Sequence, residues 1–107
     1  MTYIVVTAWF PLDKGGESAE KYVESRKQFP PDRSLFKEVL QGMVKVKRRM
    51  IKSISVLEVK EGKLDETLKW EQNSMILFHD IPGYAYKIEV FFSFAEAFNM
   101  IGMQAPE

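Results

Sequence analysis

The apolar positions of this chain follow a strand period, then a helical period, then a strand period again, and each change marks a new element. Residues 2–10 are β-branched and aromatic and are bounded by Pro11, which predicts a mostly buried strand. The spacing is then helical up to Phe29, where Pro30 and Pro31 must end the helix because the residue before a proline avoids helical backbone. The apolar side of this helix is formed by Ala19, Tyr22, Val23 and Phe29.

The alternating stretch 36–60 predicts a hairpin whose tip is the charged tract 47–49. The loop length decides which residues share a face. A two-residue turn at 48–49 groups the valines of the first strand with serines, and a three-residue loop at 48–50 groups them with apolar residues. We therefore predict the three-residue loop, because it gives one clean apolar face. That face consists of Val44, Val46, Ile54 and Val56, whereas the shorter turn combines Val44 and Val46 with Ser53 and Ser55.

A second helical period covers residues 63–80 and stops at the Pro82 and Gly83 pair. Residues 84–92 alternate again and predict the last strand. Ser93 and Glu96 then form a capping box that opens a short final helix. The stripe of the second helix consists of Leu64, Leu68, Met75 and Phe78, with Ile76 nearby.

The predicted order is β-α-β-β-α-β followed by a short C-terminal helix, which is typical of a ferredoxin-like α+β fold. Such a fold has a four-stranded antiparallel sheet with both long helices on one face. By its length, the chain 1–107 is expected to form a single domain. The positions expected on the helix side of the sheet are Ile4, Val6, Ala8, Val44, Val46, Ile54, Val56, Ile88 and Val90.

The opposite face of the sheet is where we expect function. It is too apolar for a solvated surface, yet it carries hydroxyls and charges. Burying it against a second copy would contribute several kcal/mol at about 25 cal/mol per Å², so we expect a two-fold symmetric homodimer. The residues predicted on this face are Tyr3, Val5, Thr7, Trp9, Met43, Lys45, Ser53, Ser55, Leu57, Lys87, Glu89 and Phe91.

In its element order and its mixed second face, the chain from Tyr3 to Met100 resembles the dimeric α/β-barrel superfamily. In that superfamily, two ferredoxin-like subunits pack sheet against sheet around a small cavity. Its members include cofactor-independent monooxygenases, haem proteins, small isomerases and ligand-binding regulators, so the resemblance implies a fold and no single chemistry. The segments 59–64, 78–84 and 100–103 also resemble a group of small uncharacterised prokaryotic proteins, which adds no activity.

The composition narrows the classes of function. Fifteen basic and fifteen acidic residues cancel, so no overall field steers the chain toward nucleic acid or a membrane. The absence of cysteine excludes thiolate catalysis, disulfides and cysteine-based metal sites. We expect no cofactor and no metal. The apolar N-terminal run is too short for a signal or membrane segment, so we expect a cytoplasmic protein.

His79 and Glu89 are the candidate catalytic residues. His79 is the only histidine; it is either a general base or haem ligand, or a cation that caps the second helix. Glu89 lies two residues from Lys87, and the pair either acts on a substrate or forms a salt bridge between subunits. The candidate ligand-binding residues are Thr7, Trp9, Lys45, Ser55, Lys87 and Phe91.

Three hypotheses about function remain. The leading one is a homodimer that binds a small, partly apolar molecule between its subunits, with or without a cofactor-free monooxygenase- or isomerase-like activity. The second is a non-enzymatic structural or interaction subunit in which Met43 and Phe91 fill the interface. The third is nucleic-acid binding through the basic hairpin 45–52, which the zero net charge and the missing aromatic pair of RNA-binding sheets disfavour.

Overall fold

The computed structural model describes all residues from Met1 to Glu107. The four strands form one antiparallel sheet in the order β2-β3-β1-β4, which confirms the predicted ferredoxin-like α+β fold. The elements are β1 (Thr2–Pro11), a 3-10 turn (Leu12–Lys14), α1 (Gly15–Gln28), β2 (Phe36–Lys47), β3 (Met50–Val59), α2 (Leu64–Ile76), β4 (Ala85–Phe92) and α3 (Phe94–Met100). None of the helices combines the length and the apolarity that crossing a bilayer requires.

β1 is a central strand, with β3 on one side and β4 on the other. Its β-branched and aromatic residues suit a pleated surface that is covered by neighbours. Ile4, Val6, Ala8 and Phe10 are buried toward the helices. On the other face Thr7 is also buried, with 5% of its surface exposed, because it lies between the neighbouring strands.

The core lies between the helix-facing side of the sheet and α2. Its nine members are Ile4, Val6, Leu35, Phe36, Leu57, Val59, Met75, Phe78 and Ile81. Thr67 is fully buried beside them, and its Oγ1 donates to the Lys63 carbonyl at 2.7 Å. This bond satisfies the hydroxyl inside the helix, so the polar residue is buried without an unpaired group.

The hairpin between β2 and β3 differs from the predicted one. Lys47 pairs with Met50, so the loop holds only Arg48 and Arg49, whose φ angles are 51° and 64°. Two central residues with positive φ form the turn whose twist matches that of the flanking strands. The predicted three-residue loop at 48–50 is therefore wrong. Arginine is uncommon at positive φ, so no residue type marked this turn.

The two-residue turn also inverts the predicted faces of β3. The period of a strand is two, so a loop that is shorter by one residue turns every side chain of the next strand over. The predicted faces of β1, β2 and β4 are confirmed by the pairing. In β3, the residues that face the helices are Ser53, Ser55 and Leu57, and those on the open face are Ile54 and Val56.

β2 contains two bulges in succession. The pairing with β3 shifts by one residue between Glu38 and Leu40, and again between Leu40 and Met43. Each shift is one extra residue in β2, which bends the strand. The two shifts cancel in phase, so Glu38 and Val44 both face the helices. Beyond the bulges the hairpin arm leaves the core, and residues 41–50 are exposed.

Both long helices turn a more polar side to the sheet than the apolar periods predict. On α1, Val23 is 54% exposed, whereas Ser18 and Ser25 are each 4% exposed. On α2, Thr67 and Glu71 are buried beside the expected apolar residues. α2 also ends at Ile76, four residues before the predicted end at 80.

Candidate functional site

A cavity of about 660 Å³ lies between α1, α2 and the helix-facing side of the sheet. We name it the Glu71 cleft. Its closed end is built from buried residues and its mouth from exposed residues of α1 and β2. The buried residues are Val6, Ala8, Phe10, Ser18, Ser25, Leu57, Glu71, Ser74, Met75 and Phe78, and the exposed ones include Ala19, Tyr22, Val23, Gln41, Gly42 and Val44.

The cleft exists because small side chains face one another across it. Five serines from both long helices and from β3 line it, and a serine fills far less volume than the leucine or phenylalanine that a packed interior would place there. Near the start of α1, by contrast, the helix packs directly against β3, since a Cβ on Gly15 would lie 3.3 Å from Ile51 Cδ1. The serines are Ser18, Ser25, Ser53, Ser55 and Ser74.

Glu71 is the ionisable residue at the buried end of the cleft, with 8% of its surface exposed. Burial raises the pKa of its carboxyl group from the ordinary 4.5 to about 7; the negative charge of Glu38 adds to this rise, and Arg26 opposes it. No hydrogen bond within the chain contributes to the ionisation of Glu71. A carboxyl group that titrates near neutrality in a cavity is typical of a functional site.

Arg26 and Glu38 form the one charged pair of the cleft. The guanidinium donates two bonds to the carboxylate, Nη1 to Oε2 at 2.7 Å and Nη2 to Oε1 at 2.9 Å, and they join α1 to β2. The hydrogen bonds with Glu38 raise the pKa of Arg26 above its ordinary value. The guanidinium also lies 5.6 Å from the centre of the Tyr22 ring. Both charges of this pair are thus already matched within the chain.

The two buried serines of α1 that line the cleft differ in their hydrogen bonding. The Oγ of Ser18 is buried and has no hydrogen-bond partner, whereas Ser25 Oγ donates to the Tyr22 carbonyl at 2.8 Å. Tyr84 stacks on Phe10 and on Phe78, with ring centres 5.3 and 5.0 Å apart. Burial raises the pKa of the Tyr84 phenol, and the charge of Glu71 adds to this rise. The phenol is therefore neutral at physiological pH.

The residues predicted to bind a ligand lie mainly on the other side of the sheet. Trp9 is the centre of this open face, with Lys52 Nζ and Lys87 Nζ at 5.9 and 5.8 Å from its ring centre. Lys87 also pairs with Glu89 at 3.1 Å. The predicted residues that share the open face are Thr7, Trp9, Lys45, Lys87, Glu89 and Phe91. Ser55 is the exception, because it lines the Glu71 cleft.

The two candidate catalytic residues are not brought together. His79 is exposed just beyond α2, where its Nε2 lies 2.7 Å from Tyr86 Oη and its ring stacks on the same tyrosine. Tyr86 lies on the helix-facing side of β4, and Glu89 on the open side. Neither His79 nor Glu89 lines the cleft. Their catalytic roles stay predictions.

The sequence contained one signal for the cleft. Glu71 lies on the stripe of α2, three residues after Leu68 and four before Met75, so it is a carboxylate within an apolar helical face. A charged residue on such a face is rarely buried without a reason. Arg26 and Glu38 gave no comparable signal, because each lies in a segment rich in other charges.

Comparison with known proteins adds the fold alone. No family model and no curated protein matches the chain. A solved structure of a formyltetrahydrofolate deformylase from Pseudomonas putida KT2440 is similar with a TM-score of 0.51 and 9% identity. The match covers 83% of this chain and 28% of the deformylase chain, so this chain spans under a third of that protein. The de novo designed protein Foldit4 is similar with a TM-score of 0.51 and 5% identity, over 87% of this chain and 99% of the design.

Proposed function

We propose that this chain binds a small, partly apolar molecule in the Glu71 cleft. The observation that carries the proposal is an unpaired, buried carboxyl group inside a cavity of about 660 Å³. Ligand sites commonly have volumes of about 300–1,000 Å³, mostly apolar walls and a few convergent polar groups. The cleft combines these properties, because aliphatic and aromatic side chains surround Glu71 and the Ser18 hydroxyl.

The Ser18 hydroxyl, whose oxygen is buried without a partner, and the desolvated carboxyl group of Glu71 are both costly if nothing ever binds them. A buried polar group without a partner destabilises a fold by about 1–3 kcal/mol. An apolar residue at 71 would continue the stripe of α2 and would fill part of the space at no such cost. A ligand that provides partners for Glu71 and Ser18 offsets the penalty, which is a physical reason for a binding role.

The proposed site lies within one chain rather than between two subunits. The sequence expectation placed the ligand on the open face, where Thr7, Trp9 and Lys87 share a surface. The Glu71 cleft, by contrast, offers a volume of about 660 Å³ within a single chain. Ser55 is the one predicted ligand-binding residue that belongs to the cleft.

Amide chemical-shift mapping with a fragment library tests the proposal. We expect bound fragments to shift the amides of Ser18, Ser55 and Ser74. The substitution Ser55→Phe places a ring in the cleft and abolishes these shifts. Its matched control is Ile54→Phe, at the next residue of β3 on the opposite face, which retains them. Equal binding by both variants, or shifts confined to the open face, would contradict the proposal.

The open face is proposed to pair with a second copy of the chain. It is richer in apolar residues than the sequence register implied, because Ile54 and Val56 join Val5 and Trp9 there. Phe91 is 48% exposed on this face. The face carries both lysines and glutamates, so opposite charges can meet when the same surface of two copies packs across a two-fold axis. Such a pairing is the arrangement of the dimeric α/β-barrel superfamily that the sequence resembles.

Light scattering coupled to size exclusion tests the pairing. We expect a dimer for the unmodified chain and a monomer for Phe91→Glu, because a charge at the interface is left unpaired. Val90→Glu is the matched control, since Val90 is exposed on the opposite face of the same strand. The proposal fails if the unmodified chain is a monomer at high micromolar concentration, or if Val90→Glu dissociates it equally.

A further inference from the structure

We infer that the ligand of the Glu71 cleft carries a basic nitrogen on an apolar, preferably aromatic, body. This inference rests on the proposed binding in the cleft and specifies the class of molecule. It follows from the balance of charges among the lining residues.

Three charged side chains line the cleft, and they are not balanced. Arg26 and Glu38 neutralise each other through two short hydrogen bonds. Glu71 is left as the third charge, and no lysine or histidine lines the cavity. An anionic ligand would therefore have to compete with Glu38 for the single cation. A cationic ligand instead meets a carboxylate that has no competing partner.

A protonated amine would provide the positive charge that Glu71 lacks. The hydrogen bond between an ammonium group and a carboxylate is stronger than a neutral one, and it is strongest where water is excluded. A buried charge without a partner is unfavourable because it is left uncompensated, and the carboxyl group of Glu71 forms no salt bridge and no hydrogen bond within the chain. The amine relieves this cost, and the Ser18 hydroxyl is free to accept a further hydrogen bond.

The remaining walls suit an aromatic body. Phe29, Trp70, Phe78 and Tyr84 line the cleft together with Tyr22. Such rings pack on flat apolar groups and attract cations through their faces. Trp70 Nε1 donates to the Pro30 carbonyl at 3.0 Å, which fixes the orientation of its ring. In a ligand that carries a cation on a ring system, the cation therefore pairs with Glu71 and the ring packs on the aromatic side chains of the cleft.

The preference for an amine must depend on pH. The charged and titratable groups that face Glu71 are Glu38 from β2, Arg26 from α1 and Tyr84 from the segment before β4. Hydrogen bonds with Glu38 raise the pKa of Arg26, so Arg26 stays charged, and burial raises the pKa of Tyr84, so Tyr84 stays neutral. Glu71 is therefore the group whose charge changes between mildly acidic and mildly basic conditions, and the amine binds best when Glu71 is ionised.

Three indole probes with the same body test the inference. Tryptamine carries a cation, tryptophol a neutral hydroxyl and indolepropionate an anion. Titrations followed by calorimetry and amide shifts are run on the full chain at about pH 8 and about pH 5.5, on either side of the Glu71 transition. We expect tryptamine to bind about tenfold or more tighter than tryptophol at the higher pH, and indolepropionate to bind weakest.

Two variants assign the preference to its cause. Glu71→Gln keeps the shape of the side chain and removes its charge, so it should bind tryptamine and tryptophol alike at both pH values. Glu20→Gln removes an exposed carboxylate of α1 outside the cleft and should keep the preference for the amine. A preference for tryptamine that survives in Glu71→Gln would overturn the inference.

The outcomes separate this inference from the proposed function. If all three probes bind equally and shift the amides of the cleft, the preference for a cation is wrong and cleft binding stands. If none of the probes shifts a cleft amide at millimolar concentration, both the binding proposal and this inference are overturned.

Discussion

Arg26 on α1 and Glu38 on β2 form two parallel N–H···O bonds of 2.7 and 2.9 Å. They are the only oppositely charged side chains that join this helix to the sheet. The pair neutralises itself and leaves Glu71 beside it without a cation. The charge balance of the cleft therefore depends on the Arg26–Glu38 pair, although Glu71, its central residue, is not part of that pair.

Removing either partner should change the pKa of Glu71, in opposite directions. Arg26→Met removes the positive charge that opposes the rise, so the pKa should rise above about 7. Glu38→Gln removes the negative charge that adds to it and frees Arg26, so the pKa should fall. Carbon-detected NMR titration of the Glu71 carboxyl group measures both, and Glu20→Gln is the control. Shifts in the same direction would contradict this account.

The stability of the chain should fall as pH rises from about 4.5 to about 7. Glu71 has a pKa of about 7 in the folded chain and 4.5 ordinarily, so the folded state binds more protons across this window and unfolding becomes easier as they are lost. The full difference corresponds to roughly 3 kcal/mol. Urea denaturation at several pH values measures it, and Glu71→Gln should remove this contribution and be the more stable protein at about pH 8.

The hairpin turn should be improved by residues that accept positive φ. Arg48 and Arg49 both adopt the left-handed region, where a side chain with a Cβ costs about 1 kcal/mol or more. The double substitution Arg48→Asn with Arg49→Gly should raise the free energy of unfolding by about 1 kcal/mol. Lys45→Gly, in the extended arm, should lower it by a similar amount. Loss of stability in the double variant would favour the three-residue loop instead.

Gly83 should not tolerate a side chain. Its φ is 78°, and a Cβ there would lie 2.8 Å from Pro11 Cγ. We expect Gly83→Ala to reduce the stability by about 2 kcal/mol, from backbone strain together with the displacement of Pro11. Gly16→Ala is the control: no atom lies within 4 Å of the added Cβ, and alanine favours a helix. Thermal denaturation distinguishes the two, and equal melting temperatures would contradict the contact with Pro11.

The order of the elements could be predicted because its signals are local. The prolines at 30, 31 and 82, the capping box at Ser93 and the change of period each act over a few residues. The side chain of Ser93 indeed accepts from the Glu96 amide. The register of β3 could not be predicted in this way. Arginine is not a residue type that indicates a turn. The longer loop was favoured because it would have placed Val44 and Ile54 on one face, but in the structure Val44 shares its face with Ser53.

The cleft could be predicted only in part. The stripe of α2 placed Glu71 among apolar residues, yet the space around it arises because Ser18, Ser53 and Ser74 come from different elements. No local pattern relates them. The bulges of β2 could not be recognised in the sequence either. Two successive extra residues restore the alternation of side chains, so Glu38 and Val44 lie on the same face, as they would in a regular strand.

The bulges of β2 determine where the chain can gain or lose a residue without changing the faces of its strands. A codon lost from a regular strand moves every later side chain to the other face, but a codon lost between 39 and 42 only removes a bulge. Phe36 would still oppose Val59, and Val44 would still oppose Ser53. Insertions and deletions in relatives of this chain should therefore concentrate at this point of β2. Such insertions and deletions change the bend of β2 beside the mouth of the cleft, and therefore the ligands that the cleft can bind, while the packing of the core is kept.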